Sequence, residues 1–150
     1  MAKINYLISG LPGTGKTSVC AELQARGYKA IDADRAFGYQ DNNDWLWKEE
    51  KIEKALNTSE TIFICGSASN RDAYIPRFKK VFILHVDDQT LKHRLLNRTS
   101  NNFGKDPDIL AKQVARNQGV KEYSIKRGRV VIDATQPIEK VVDDILSQLN

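Results

Sequence analysis

Residues Gly10-Leu11-Pro12-Gly13-Thr14-Gly15-Lys16-Thr17 match G-x-x-x-x-G-K-[ST] at every fixed position, directly after an apolar run that begins at Ile4. That context narrows the folds open to the chain, because the pattern works as the turn between a buried strand and a helix. Glycines let the backbone bend and present its N–H groups to phosphate oxygens. The helix that follows turns its positive N-terminal end to the same anion. A helix is expected from about Lys16 to Arg26, with Val19 and Leu23 on its inner face and Gly27 as its stop. Lys16 is then expected to reach the β- and γ-phosphates of a nucleotide, and the Thr17 hydroxyl to ligate Mg2+. The expected nucleotide contacts are Gly10, Pro12, Gly13, Thr14, Gly15, Lys16, Thr17 and Ser18. A glycine-rich turn that binds nothing is the plain alternative, and the full match in the right context argues against it.

The remainder of the chain alternates short apolar runs with helical patterns. Tyr28 to Ile31 is a second strand running into Asp32-Ala33-Asp34-Arg35. The two carboxylates point to opposite sides if the strand persists and can converge if it breaks there. Either way charge collects at a strand end, where open α/β sheets place ligands. Phe37 to Asp44 is polar and turn-like, and Trp45 to Leu56 reads as an amphipathic helix with Trp45, Ile52, Ala55 and Leu56 apolar among Lys and Glu. On such a helix Trp45 and Trp47 suit packing better than stacking on an acceptor ring. Thr61 to Cys65 is a third strand, ending at Gly66-Ser67-Ala68-Ser69-Asn70-Arg71, a composition that fits either a ligand contact or a simple turn.

Val81 to Val86 is continuously apolar apart from His85, as a strand buried on both faces of a parallel sheet requires. Asp87 and Asp88 cap the next helix, which carries Leu91, Leu95 and Leu96 inward and Arg94 and Arg98 on another face. Thr99 to Lys105 has loop composition, and Asp106-Pro107 opens a further helix toward Asn117. Arg129 to Asp133 is the fifth strand, and Ala134-Thr135-Gln136-Pro137 leads into a last helix with Val141, Val142, Ile145 and Leu149 facing inward. Five strands alternating with helices give an α/β fold with a parallel, helix-covered sheet.

A chain of 150 residues suits one compact domain, residues 1–150, and no apolar run approaches the roughly 18 residues of a membrane span. With no signal-like N-terminus, a cytoplasmic, monomeric protein is expected. Cys20 and Cys65 stand alone among apolar neighbours, as buried free thiols do. Charge is unevenly spread. Between Lys92 and Arg129 ten Lys and Arg stand against three acids, a local +7 that leaves −3 for the rest of a chain of net charge +4. That third is where polyphosphate or nucleic acid is expected to bind, a merely solvated helical surface being the plain alternative.

In order and content these pieces resemble the small P-loop kinases, the nucleoside monophosphate kinases and more closely the shikimate kinase and gluconate kinase branch. The resemblance implies a three-layer P-loop NTPase fold with a five-stranded parallel sheet of order 2-3-1-4-5 and a short lid at approximately residues 94–118. Asp32-Ala33-Asp34 looks like the family's D-x-D, which implies that Asp34 contacts the acceptor hydroxyl while Asp32 helps to hold metal-bound water. Cys65 to Arg71, followed by Asp72 and Tyr74, is similar to the third-strand segment of gluconate kinases, so Ser67 and Arg71 join Asp34 and Arg35 as expected acceptor contacts. Arg94, Arg98 and the loop to Lys105 look like the arginine-bearing lid over ATP, and Thr135 and Pro137 match the loop that packs on adenine. Many P-loop proteins carry a metal-associated Asp where this chain has Gly66, which leaves Mg2+ to Thr17 and Asp32. The stretch from Arg35 to Asn57 matches neither the shikimate kinase nor the adenylate kinase acceptor pattern. The implied activity is transfer of the γ-phosphoryl of ATP to a hydroxyl or phosphate of a small molecule, with Lys16, Arg94 and Arg98 neutralising charge and Asp34 as base. A competing reading is an NTPase module that acts on RNA or switches conformation, its basic third being a phosphate-backbone footprint.

Overall fold

The computed structural model describes residues 4–58, 60–97 and 106–149. Strand β1 (Asn5–Gly10) is buried along its length and feeds the phosphate loop, after which α1 (Lys16–Ala25) buries Val19, Cys20 and Leu23. The chain returns as β2 (Ala30–Asp32), which breaks directly into the one-turn helix α2 (Ala33–Ala36). There follow β3 (Gly38–Asp41), β4 (Asp44–Trp47), α3 (Glu49–Leu56), β5 (Ile62–Cys65), a 3₁₀ helix (Arg71–Arg77) and β6 (Lys80–His85). Helices α4 (Asp88–Leu96) and α5 (Pro107–Lys126), strand β7 (Val130–Asp133) and helix α6 (Ile138–Ser147) complete the described order.

β2, β5, β1, β6 and β7 form one parallel sheet in that spatial order. Counted among themselves these five strands run 2-3-1-4-5, the order that the resemblance implied. Because β1 is central, its C-terminal end opens the crevice where such sheets bind ligands. Side chains alternate between the faces. Tyr6, Ile8, Cys65, Phe82 and Leu84 pack on Val19, Leu23, Leu91, Leu95 and Ile145, whereas Leu7, Ile62, Ile64 and Ile83 pack on Trp47, Ile52, Leu56 and Tyr74. Cys20 and Cys65 are buried free thiols. Their mutual hydrogen bond and burial raise the Cys65 thiol well above its ordinary value, and the same bond lowers that of Cys20. No helix among the described residues is long and apolar enough to cross a membrane.

Two stretches differ from the sequence-based expectation. The turn-like segment and the start of the helix expected at Trp45 instead form an antiparallel hairpin, paired from Gly38 with Trp47 to Asp41 with Asp44. Its loop is Asn42 and Asn43, with Asn42 at φ 54°, the left-handed backbone that a two-residue hairpin loop demands and that asparagine tolerates. Trp45 and Trp47 therefore share one face of a strand, and α3 begins only at Glu49. Helix α5 also continues past Asn117 and Gly119 to Lys126. The Asn117 amide donates to Val86 O and Asp88 Oδ1, both at 2.9 Å, and Ser124 is buried. Those contacts outweigh the roughly 1 kcal/mol that a mid-helix glycine costs.

The caps set an acid limit on stability. Asp87 accepts from Thr90 N at 2.6 Å, and Asp88 joins α4 to α5 through Asn117 and Gln118. The Thr90 contacts hold the Asp87 carboxyl below its ordinary range, and the Asn117 and Gln118 amides do the same for Asp88. A carboxyl that binds its proton less tightly in the native state lends stability above its unfolded value of about 4, and that stability is lost as pH falls through the lowered native value. Asp88→Asn is therefore expected to melt at a temperature less sensitive to pH on the acid side than wild type does. Parallel melting-temperature curves for the two proteins below about pH 4 would contradict this.

Candidate active site

The phosphate loop emerges from β1 at the centre of the sheet. Gly15 stands at φ 100° as N-cap of α1, a left-handed geometry that glycine adopts without strain, so that loop and helix N-terminus can close around one anion. Buried Thr14 ties the loop by donating its hydroxyl to Leu11 O at 2.8 Å. Lys16 Nζ lies 2.8 Å from Gly10 O and 3.0 Å from Leu11 O, which draws its charge over the loop. Pro12 and Gly13 are half-buried, and Thr17 and Ser18 are exposed on the first turn of α1.

The break after β2 parts the two carboxylates. Asp32 Oδ2 accepts from Thr17 Oγ1 at 3.1 Å and lies 3.7 Å from Arg35 Nε. Asp34 turns the other way: its Oδ1 accepts from Trp47 Nε1 at 3.0 Å, Ser67 N at 3.2 Å and Trp45 Nε1 at 3.4 Å. Oδ2 has one described donor, Ser67 N at 3.4 Å. A Cβ on Gly66 would stand 2.9 Å from Asp34 Oδ1, so the Asp34 side chain fills the space that a larger residue after β5 would need. The hairpin is pinned in place by Ser69 N on Trp45 O at 2.8 Å and by the Asn70 side-chain amide, which pairs with Trp47 N and Trp47 O at 3.0 Å each. Trp47 is 1% exposed and Trp45 is 38% exposed. Sequence reasoning treats Trp45 and Trp47 as packing residues and Asn70 as part of a turn or ligand contact, and does not foresee that the indoles donate to Asp34 or that Asn70 pins the hairpin. The short aromatic run Trp45-Leu46-Trp47 following an Asn-Asn pair is the signal that would have found them.

Beside Gly10 and Leu11 a cavity of about 510 Å3 opens toward Ser67, Ala68, Ser69, Arg71 and one side of α5. Arg71 Nη1 donates to Ser9 Oγ at 2.9 Å, and its Nε and Nη2 donate to Asp72 Oδ1 at 3.1 and 3.0 Å. Ser67 thus touches both the cavity and Asp34. Arg35, its side chain 76% exposed, is absent from that lining.

On the other side of the loop, Arg94 donates from Nη2 to Ala134 O at 2.9 Å and from Nη1 to Gly13 O at 3.4 Å. It ties the phosphate loop to the segment after β7. Thr135 N and Oγ1 both donate to Asp133 Oδ1, at 3.0 and 2.6 Å, and these bonds hold the Asp133 carboxyl below its ordinary range. Thr135 and Pro137 are exposed there. Arg98 and the loop to Lys105 lie outside the described residues. Among the described residues no cluster of three or more His, Cys, Asp or Glu could hold a metal. The hydroxyl and carboxylate of Thr17 and Asp32 are hard oxygen donors already in contact, which fits Mg2+, an ion that takes few protein ligands beside nucleotide phosphates.

The AAA domain family matches residues 7–118. Among solved structures, a gluconokinase from Sinorhizobium meliloti 1021 is similar at 21% identity and TM-score 0.64, over 96% of this chain and 90% of that one. A shikimate kinase from Bacteroides thetaiotaomicron shares 14% identity at TM-score 0.67, over 97% and 98%. A deoxyadenosine kinase from M. mycoides shares 16% at 0.63, over 98% and 100%. Among curated proteins none matches this sequence.

Proposed function

The chain belongs to the AAA domain family, and we propose that it is an ATP-dependent phosphotransferase acting on a small-molecule acceptor. The observation that carries this is the parting of the two carboxylates at the end of β2: Asp32 meets the phosphate loop through Thr17, while Asp34, outside the cavity lining itself, accepts from the N–H of Ser67, which lines it. A nucleotide switch needs the first arrangement and has no use for the second. The loop N–H groups and Lys16 bind the β- and γ-phosphates, and Arg94, Thr135 and Pro137 flank the base between the phosphate loop and the segment after β7. Thr17 and Asp32 would hold Mg2+, which would offset phosphate charge when bound with the nucleotide. The acceptor oxygen gives its proton to Asp34 Oδ2 and forms a bond to the γ-phosphorus as the bond to the β–γ bridging oxygen breaks, releasing ADP. Arg98 enters as a lid arginine on sequence grounds.

Two further observations bear on the alternatives. Arg94 turns to the phosphate loop, and Arg116 and Arg129 line the cavity, which draws those charges away from an RNA footprint. Neighbours named for gluconate, shikimate and deoxyadenosine share one fold, so the fold leaves the acceptor open. The test is an ADP-release assay over sugars, sugar acids, nucleosides and nucleoside monophosphates. Acceptor-stimulated ADP is expected; no stimulation by any class, with RNA binding that weakens steeply with salt, would favour the NTPase module. Thr17→Ala is expected to shift the Mg2+ dependence of turnover by about tenfold or more, and an unchanged metal titration would remove Thr17 from the metal site.

A further inference from the structure

Three guanidiniums from separate parts of the fold converge on the cavity beside the phosphate loop: Arg71 opens the 3₁₀ helix, Arg116 stands on α5 and Arg129 directly precedes β7. A single carboxylate, Asp72, shares the lining, 3.0 Å from Arg71 Nη2 and 3.8 Å from Arg129 Nη2. Arg116 Nη1 donates at 3.4 Å to a neutral amide, Gln113 Oε1. Three positive groups against one negative leave the cavity wall at +2. The Arg129 side chain is 8% exposed and lies with its guanidinium carbon 5.7 Å from the centre of the Tyr123 ring. A guanidinium has five N–H donors to satisfy, and its burial is costly without a close anion. Desolvation first, and then the charge of Arg71, lower the Arg129 pKa from its ordinary value, the mark of a cation short of negative company.

We propose that this cluster is an anion subsite that binds a phosphomonoester dianion, and that the acceptor is a small hydroxylated phosphomonoester. Only the word acceptor rests on the phosphotransferase reading; the anion subsite stands without it. A carboxylate would leave one of the two surplus charges unmatched. A phosphomonoester carries a charge of about −1.5 to −2 at neutral pH and offers three oxygens to forked donors. Ser67 lines the same cavity and its N–H holds Asp34 Oδ1 at 3.2 Å, so a molecule anchored by its phosphate on the arginines presents a hydroxyl toward Asp34. The volume of about 510 Å3 suits a small ligand.

Calorimetric titration of the full chain, with its nucleotide site filled by ADP and Mg2+, with ribose, ribonate and ribose 5-phosphate tests this. Ribose 5-phosphate is expected to bind on the order of 10–100-fold more tightly than ribose, with ribonate between them. Arg71→Gln and Arg129→Gln should erase the preference for phosphate, and Arg116→Gln, at an exposed position that tolerates change, should weaken it even if the Arg129 variant fails to fold. Equal binding of the three probes, or a phosphate preference untouched by Arg71→Gln and Arg116→Gln, overturns the subsite. ADP release with the same probes separates the two ideas. Arginine-dependent phosphate binding without turnover sinks the phosphotransferase and keeps the subsite, whereas turnover on neutral acceptors alone, indifferent to the arginine variants, sinks the subsite and keeps the phosphotransferase.

Discussion

Lys16→Ala is expected to lower ATP turnover by about 10³-fold or more while the protein stays folded, because in the proposed reaction the lysine meets charge that develops on the transferring phosphoryl. The size of the effect distinguishes this from a structural defect. Lys16 also donates to Gly10 O and Leu11 O, and losing a bond from a charged donor costs on the order of 1.5–3 kcal/mol when it is buried, less where, as at this part-buried position, water can replace it. For a chain of this size a loss of about 1 kcal/mol moves the melting temperature by only a few degrees, whereas a 10³-fold rate loss corresponds to about 4 kcal/mol at the transition state. Steady-state ADP release and a thermal melt on the same preparation read both numbers. Turnover within tenfold of wild type would take Lys16 out of the chemistry, and a melting temperature lower by tens of degrees would make the rate loss a folding effect.

The features legible in the sequence were those fixed by local chemistry. The phosphate loop follows from a motif whose glycines and lysine have no substitute at their positions, and the α5 start follows from Asp106, which accepts from Asp108 N at 2.8 Å ahead of Pro107. The five strands of the parallel sheet lie within two residues of their expected bounds, because each carries a short apolar run at its centre. Strand order came from the resemblance, since periodicity does not say which strand lies beside which.

The hairpin was missed for a physical reason. Ile52, Ala55 and Leu56 carry a helical period that extends backward to Trp45 by coincidence of spacing, while the competing signal, Asn42 and Asn43 between two four-residue strands, is weaker than the Asn-Gly that marks most such loops. The arginine-lined cavity was invisible for another reason. Arg71, Arg116 and Arg129 are brought together by long-range packing of α5 and β7 against β6, and one sequence without that topology shows them only as part of a basic third.

The D-x-D at the end of β2 is legible as a pair, and the different hydrogen-bond partners of its two carboxylates make the proposed division of roles testable. Asp34→Asn is expected to lower acceptor-stimulated turnover by about 10²–10⁴ with little change in ATP or Mg2+ dependence, the range for loss of a general base. The asparagine still offers one carbonyl oxygen to Trp47 Nε1 and Ser67 N, so the shape survives while the proton acceptor is gone. Asp32→Asn removes negative charge beside Thr17, and its loss should appear in the metal and ATP titrations before it appears in saturated turnover. Trp47→Phe supplies the third arm: it keeps the buried ring but deletes the 3.0 Å bond that orients Asp34 Oδ1. A loss of roughly tenfold in kcat at unchanged ATP affinity is expected, about the value of one hydrogen bond to a charged group. Because the phosphoryl-transfer transition state is loose, orientation of the nucleophile can outweigh removal of its proton, and then Asp34→Asn would fall nearer the Trp47→Phe value than the general-base range. Identical kinetic profiles for Asp32→Asn and Asp34→Asn would defeat the division of roles, and full acceptor-stimulated turnover in Asp34→Asn would remove the carboxylate from the acceptor side altogether.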